Sequence, residues 1–220
     1  MLYSKKEGTM YRLVNCDQGS ELWFKERLGI LTASRFNKLI TNGGKLSASW
    51  EKEVNRCVAE TILKGQDEGF QSDAMIRGQS LEYEGIDFFN FTYGYNFERT
   101  GFLRATDNGV DLLYGCSADA IDFQRSLGLE MKCPLSPAHI GYMSDILNGF
   151  CPEEHKQQVQ GALLITGFDK WCFGSYHPEL RSPIIEIGRD EEYIKKLEEI
   201  LARCTEEFYK RLELERAKAQ

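Results

Sequence analysis

The sequence predicts a mixed α/β domain with its sheet in the middle of the chain and helices around it. Three observations predict it. Apolar residues recur at helical spacing up to about residue 93 and again after residue 190. Between them lie short alternating runs bounded by Gly, Pro, Asn and Ser, the pattern of strands and turns. The resulting order is helices, three strands, two helices, two strands and a helix, which suits a central sheet with helices packed on it. A chain of 220 residues, 42% apolar and 28% charged, can bury one full core. One domain over 1–220 is therefore expected, with 1–18 an N-terminal extension and 191–220 a C-terminal helix.

Taken in order, Ser20 is placed to cap a helix carrying Leu22, Trp23 and Leu28, with Gly29 at its end. Thr32 reads as the cap of a second short helix over 33–40 that buries Phe36, Leu39 and Ile40. Asn42-Gly43-Gly44 is a loop. Trp50, Val54, Val58 and Thr61/Ile62 set a helix over 49–64, stopped by Gly65 and followed by a polar loop over 66–73. A long helix is expected over 74–93 along the stripe Met75, Leu81, Ile86 and Phe89, with Glu82 bordering its buried face. A strand over 97–105 leads to a hairpin that Leu112 begins. Its two strands run over 115–123 and 127–134, joined by a turn at Gln124-Arg125-Ser126. Ser136-Pro137 starts a helix ending near Asn148-Gly149, and Pro152 suits the first turn of the next, which carries Gln158 and stops at Gly167. Strands over 170–176 and 183–187 and a charged helix over 191–218 complete the chain.

The hairpin carries the chemistry. Alternate side chains of a strand face opposite ways, so Glu130 and Lys132 share one face while Leu129, Met131 and Cys133 turn to the core. Asp119, on the neighbouring strand, completes a cluster with them. Two carboxylates offer hard oxygens to a divalent cation, and a lysine beside them can stabilise or help deprotonate a water. Such a set suits phosphodiester cleavage. The plainer readings are a cross-strand salt bridge for Glu130 and Lys132 and a surface ion pair for Glu82.

The net charge of −7 runs against a nucleic-acid partner, although metal-site carboxylates and the acidic last helix supply part of it. No apolar run approaches the roughly 20 residues that span a bilayer. The N-terminus also lacks the apolar stretch of a signal peptide, so a cytoplasmic protein without membrane contact is expected. Seven cysteines with no Cys-x-x-Cys pair read as free thiols, with Cys57, Cys133 and Cys172 buried among apolar neighbours.

Four blocks in order resemble the lambda exonuclease family, the YqaJ-type viral recombinase nucleases of the PD-(D/E)xK superfamily. They are Trp23 to Ser34, Gly78 with Glu82, Cys116-Ser117-Ala118-Asp119 with Leu129-Glu130-Met131-Lys132-Cys133-Pro134, and Gln158-Val159-Gln160. The resemblance implies a restriction-endonuclease-like core with a central mixed sheet. It implies Asp119, Glu130 and the Met131 carbonyl as magnesium ligands, Glu82 in support, Lys132 activating water, and Gln158 in the active site. Manganese is the expected substitute for magnesium. Arg27, Ser34 and Ser117, with Gln158, match a pocket for a five-prime phosphate. Two departures stand out: Pro137-Ala138-His139 lies where the family has an arginine, and Ala118 where the superfamily usually has proline.

The function so implied is a magnesium-dependent exonuclease that digests one strand of duplex DNA from five-prime phosphorylated ends, leaving a three-prime overhang. The resemblance also implies a homotrimeric ring, a single-strand annealing protein as partner, and a phage or prophage origin in a bacterial host. The alternatives are another PD-(D/E)xK endonuclease, a Cas4-like nuclease, for which the cysteines are too scattered, and a non-catalytic DNA-binding subunit.

Overall fold

The computed structural model describes residues 10–65 and 73–218. The fold is mixed α/β, as its sequence predicts, but its strands form two sheets rather than one. The first sheet has the order β1-β4-β5-β2, from β1 (Met10–Val14), β2 (Leu31–Thr32), β4 (Phe102–Asp107) and β5 (Val110–Cys116). The second has the order β3-β6-β7-β8-β9, from β3 (Glu98–Arg99), β6 (Ala120–Asp122), β7 (Leu127–Lys132), β8 (Lys170–Ser175) and β9 (Ile184–Gly188). Each is mixed: β2 runs parallel to β5 and β7 parallel to β8, while the other neighbours are antiparallel. A parallel pair needs a long crossover. Here α4 (Ser136–Leu147) and α5 (Lys156–Thr166) provide it, with a 3₁₀ turn at Glu153–His155 between them.

The two-sheet arrangement corrects two expectations. The strand over 97–105 is β3 and β4, broken at Thr100-Gly101, and the strand over 115–123 is the end of β5 and all of β6, broken at Ser117, Ala118 and Asp119. The two segments cross from one sheet to the other side by side. The Ala118 carbonyl accepts hydrogen bonds from Gln18 Nε2 at 2.7 Å and Thr100 Oγ1 at 3.1 Å, which pins the crossing. Gly101 permits it, because a Cβ there would lie 2.3 Å from the Val14 carbonyl oxygen. Strand periodicity continues across such a break, so the pattern alone does not show it.

Helix α1 (Glu21–Arg27) follows β1 and helix α2 (Trp50–Leu63) follows β2, two strands that the helices-first order lacks. β1 falls within the stretch 1–18 expected as an N-terminal extension, and a 3₁₀ turn at Ala33–Lys38 stands where a short helix over 33–40 was expected. Ser20 caps α1 as its type predicts, its Oγ accepting from the Trp23 amide. α2 ends on Lys64 in the left-handed conformation, one residue before the expected Gly65. The long helix α3 (Asp73–Tyr93) lies on β7. The expected loop over 66–73 lies outside the described residues apart from Asp73, as does the Met75 side chain. α6 (Glu191–Lys218) packs on α2 and α5 along Tyr193, Leu197, Leu201, Cys204, Phe208 and Leu212, all buried. α5 is buried on every side from Val159 to Thr166 and touches β4, β5 and β8, so it joins the two sheets. All seven cysteines are free thiols.

Candidate active site

The break between β5 and β6 builds the site. Where β6 stops pairing, the Asp119 amide donates to the Leu129 carbonyl, and Asp119 Oδ2 accepts from the Met131 amide at 2.6 Å. The carboxylate thus replaces a missing strand along β7. N–H and C=O of one strand residue share an edge, so the Met131 carbonyl lies on this same uncovered edge. One residue to either side, Glu130 and Lys132 project together. Lys132 Nζ is ion-paired with Glu130 Oε1, and Gln158 Nε2 from α5 donates to Glu130 Oε2 at 2.6 Å.

A second group assembles across the cavity. Trp23 and Arg27, four apart on α1, present one face. The guanidinium lies 4.0 Å above the Trp23 ring, and both side chains donate to Ser117 Oγ, at 2.9 and 2.7 Å. Ser34, on the first 3₁₀ turn, is hydrogen-bonded to Thr32 at 3.3 Å. Arg27, Ser34, Ser117, Asp119, Glu130, Lys132 and Gln158 all line one cavity of about 150 Å³. Glu82 stands apart. Its carboxylate faces Arg99 at 3.4 Å, and Arg99 stacks 3.9 Å over Tyr83.

Burial raises the pKa of both Asp119 and Glu130, against the pull of the Lys132 charge. Burial also lifts Glu82 to about 7, with the charge of Asp119 adding to it. Burial works against the Lys132 ammonium, yet Glu130 and Asp119 outweigh it and hold the amine protonated. Burial and then the charge of Arg56 lower Arg27 to about 10. The site therefore holds more buried carboxylate than its one lysine can neutralise. Asp119 and Glu130 are hard oxygen donors lining one cavity, and the Met131 carbonyl lies next to Glu130 along β7, a set that fits a magnesium-type ion. Among the described residues no three Asp, Glu, His or Cys side chains converge to hold a metal ion, so Glu82 is not brought into one ligand set with Asp119 and Glu130.

Residues 22–169 match the YqaJ-like viral recombinase domain, well over half of the chain. The chain belongs to the YqaJ-like viral recombinase domain family. Among solved structures, this YqaJ-like chain is similar to an alkaline exonuclease (LHK-Exo) from Laribacter hongkongensis, at 25% identity and a TM-score of 0.77 over 91% of this chain and 98% of that one. The same exonuclease in complex with dAMP matches equally. A phage related exonuclease from Haemophilus somnus 129PT shares the fold, at 17% identity and a TM-score of 0.65 over 84% of this chain and 96% of that one. No curated protein is a significant match.

Sequence reasoning about the YqaJ-like domain missed three side chains of the site. Trp23 orients Ser117, and its four-residue spacing from Arg27 was a usable signal. Gln18 braces the Ala118 carbonyl and lines the cavity, and Arg99 pairs with Glu82. Both act across folds in the chain that no local pattern reveals. His139, in the Pro137-Ala138-His139 stretch that departs from the family pattern, is fully buried. Its Nε2 donates to the Arg181 carbonyl at 3.0 Å, and burial holds its pKa below the ordinary 6.5, so the ring is neutral and Nδ1 accepts from Ser175 at 2.8 Å. Among the described residues no helix is long and apolar enough to cross a membrane.

Proposed function

We propose that this chain is a magnesium-dependent exonuclease that digests one strand of duplex DNA from a five-prime phosphorylated end and leaves a three-prime single-stranded overhang. The observation that carries the reading is one small cavity lined by both an acid–lysine set and an arginine that pairs with no carboxylate among the described residues: Asp119, Glu130 and Lys132 beside Arg27. Asp119, Glu130 and the Met131 carbonyl would hold the ion, which when bound supplies charge stabilisation at the phosphate and a more acidic water. Manganese is a chemically reasonable substitute. Lys132, kept as the ammonium, offsets charge that builds on the phosphate and orients the incoming water. Gln158 keeps Glu130 in place through its Oε2.

Arg27 supplies a planar fork for phosphate oxygens, held rigid between the Trp23 ring and Ser117. Anchoring an end phosphate there would set the direction of digestion without reading sequence. By likeness to its family, the chain works as a ring of three copies with a single-strand annealing protein, in a phage or prophage setting inside a bacterial cell. The deciding test is linear duplex labelled at one end, with and without magnesium, beside a closed circle. Stepwise magnesium-dependent loss of the five-prime phosphorylated strand, with the circle resistant, is expected. Cleavage of the circle contradicts the reading.

A further inference from the structure

Arg27 also lines a second and larger cavity, of about 770 Å³, that contains none of the catalytic trio. That volume is in the range of about 300–1,000 Å³ typical of sites that bury a whole small ligand. Among the described residues five cations line it, Arg27, Arg35, Lys38, Lys52 and Arg56, and two carboxylates, both buried and already engaged. Glu53 pairs with Arg35 and with Arg56, each at 2.7 Å, and Glu60 pairs with Arg56 at 2.6 Å. Lys38 and Lys52 are exposed and make no ion pair among the described residues. In a chain of net charge −7, this groove carries a surplus of positive charge. Such a surplus in a concave surface focuses potential and attracts anions. Among the described residues no aromatic side chain lines it, which suits phosphates rather than stacked bases.

Building on the nuclease reading above, we propose that this groove holds the phosphodiester backbone of single-stranded DNA extending five-prime of the phosphate at Arg27. Arg27 lines both cavities, so a strand held there lies beside Asp119, Glu130 and Lys132 on one side and beside the groove on the other. The substrate class is thereby extended from blunt ends to five-prime tailed duplexes, with Arg27 holding an internal phosphate of the tailed strand.

The test is fluorescence anisotropy in EDTA, where no cleavage occurs, with blunt, five-prime tailed and three-prime tailed duplexes. The wild-type chain is compared with a Lys38→Ala/Lys52→Ala double variant, both positions being exposed and outside the catalytic cavity. A five-prime tail of about ten nucleotides should tighten wild-type binding about tenfold, and a three-prime tail should not. The double variant should bind blunt duplex as the wild type does and lose the gain from the tail. Its salt slope on tailed DNA should flatten by about 1.4, at roughly 0.7 per phosphate contact on a single strand. Equal binding of blunt and five-prime tailed duplex overturns the proposal, as does a gain that survives in the double variant or appears equally with a three-prime tail. In those cases magnesium-dependent digestion of blunt ends still stands, whereas a chain that neither binds nor digests blunt duplex fails the nuclease reading itself.

Discussion

Arg27 is a guanidinium in a mostly enclosed place with a serine, not a carboxylate, as its hydrogen-bond partner. That is an unsatisfied charge, and a phosphate would satisfy it. Lysine cannot reproduce the flat stack on Trp23 or the fork. Arg27→Lys should therefore cut the preference for five-prime phosphate over five-prime hydroxyl ends by about tenfold or more, the cost of roughly 1.4 kcal/mol of lost contact. Comparing kcat/KM on the two substrates checks it, and an unchanged ratio removes Arg27 from the anchor. Much of this residue scale was legible beforehand. Glu130 and Lys132 sit two apart on a strand, so their shared face follows from period two alone. Asp119 followed less securely, because its approach to Met131 depends on a strand break that alternation does not encode.

At the scale of elements, two contacts hold the machinery in register. α5 presses on the first 3₁₀ turn at Gly161, where a Cβ would lie 2.5 Å from the Phe36 ring. Gly161→Ala should push that turn, and Ser34 with it, away from Gln158, at a cost of about 1–3 kcal/mol. Thermal unfolding together with activity reads both effects. The second contact is α2's Glu53, only 3% exposed, which pairs with Arg35 and Arg56. Burial would raise its pKa, but the hydrogen bonds and charges of the two arginines prevail and hold it below the ordinary 4.5. A carboxyl with a lowered folded pKa stabilises fully above its unfolded value and loses that contribution as pH falls below it. Glu53→Gln should cost about 2 kcal/mol at neutral pH, or roughly 4–8 °C in Tm. The gap between variant and wild type should then close as the pH falls below 4.5. A gap that persists in acid would show that packing, not charge, holds α2. These elements were read from helical spacing with bounds close to those observed. The 3₁₀ geometry of residues 33–38 was not, because a short apolar cluster suits either kind of turn.

For the whole molecule, the site exists because two sheets share a pair of crossing segments. One sheet contributes Ser117 at the end of β5, the other contributes Glu130 and Lys132 on β7, and α5 bridges both with Gln158. The sequence implied a single central sheet because strand periodicity runs on through Ser117 and Asp119. The family likeness, spread over four blocks, carried the site residues further than the pattern of any one strand. Surplus buried carboxylate also makes a bulk prediction. A bound divalent ion stabilises only the folded state, so Tm should rise with magnesium and follow mass action. An Asp119→Asn/Glu130→Gln double variant should show no such rise, and a rise equal to that of the wild type would place the ion elsewhere. The most direct measurement is a time course on five-prime phosphorylated linear duplex in magnesium, comparing the wild type with Lys132→Ala. Progressive strand loss by the wild type and a rate at least a hundredfold lower, roughly 3 kcal/mol of barrier, in the folded variant are expected. Equal rates for the two would contradict the account.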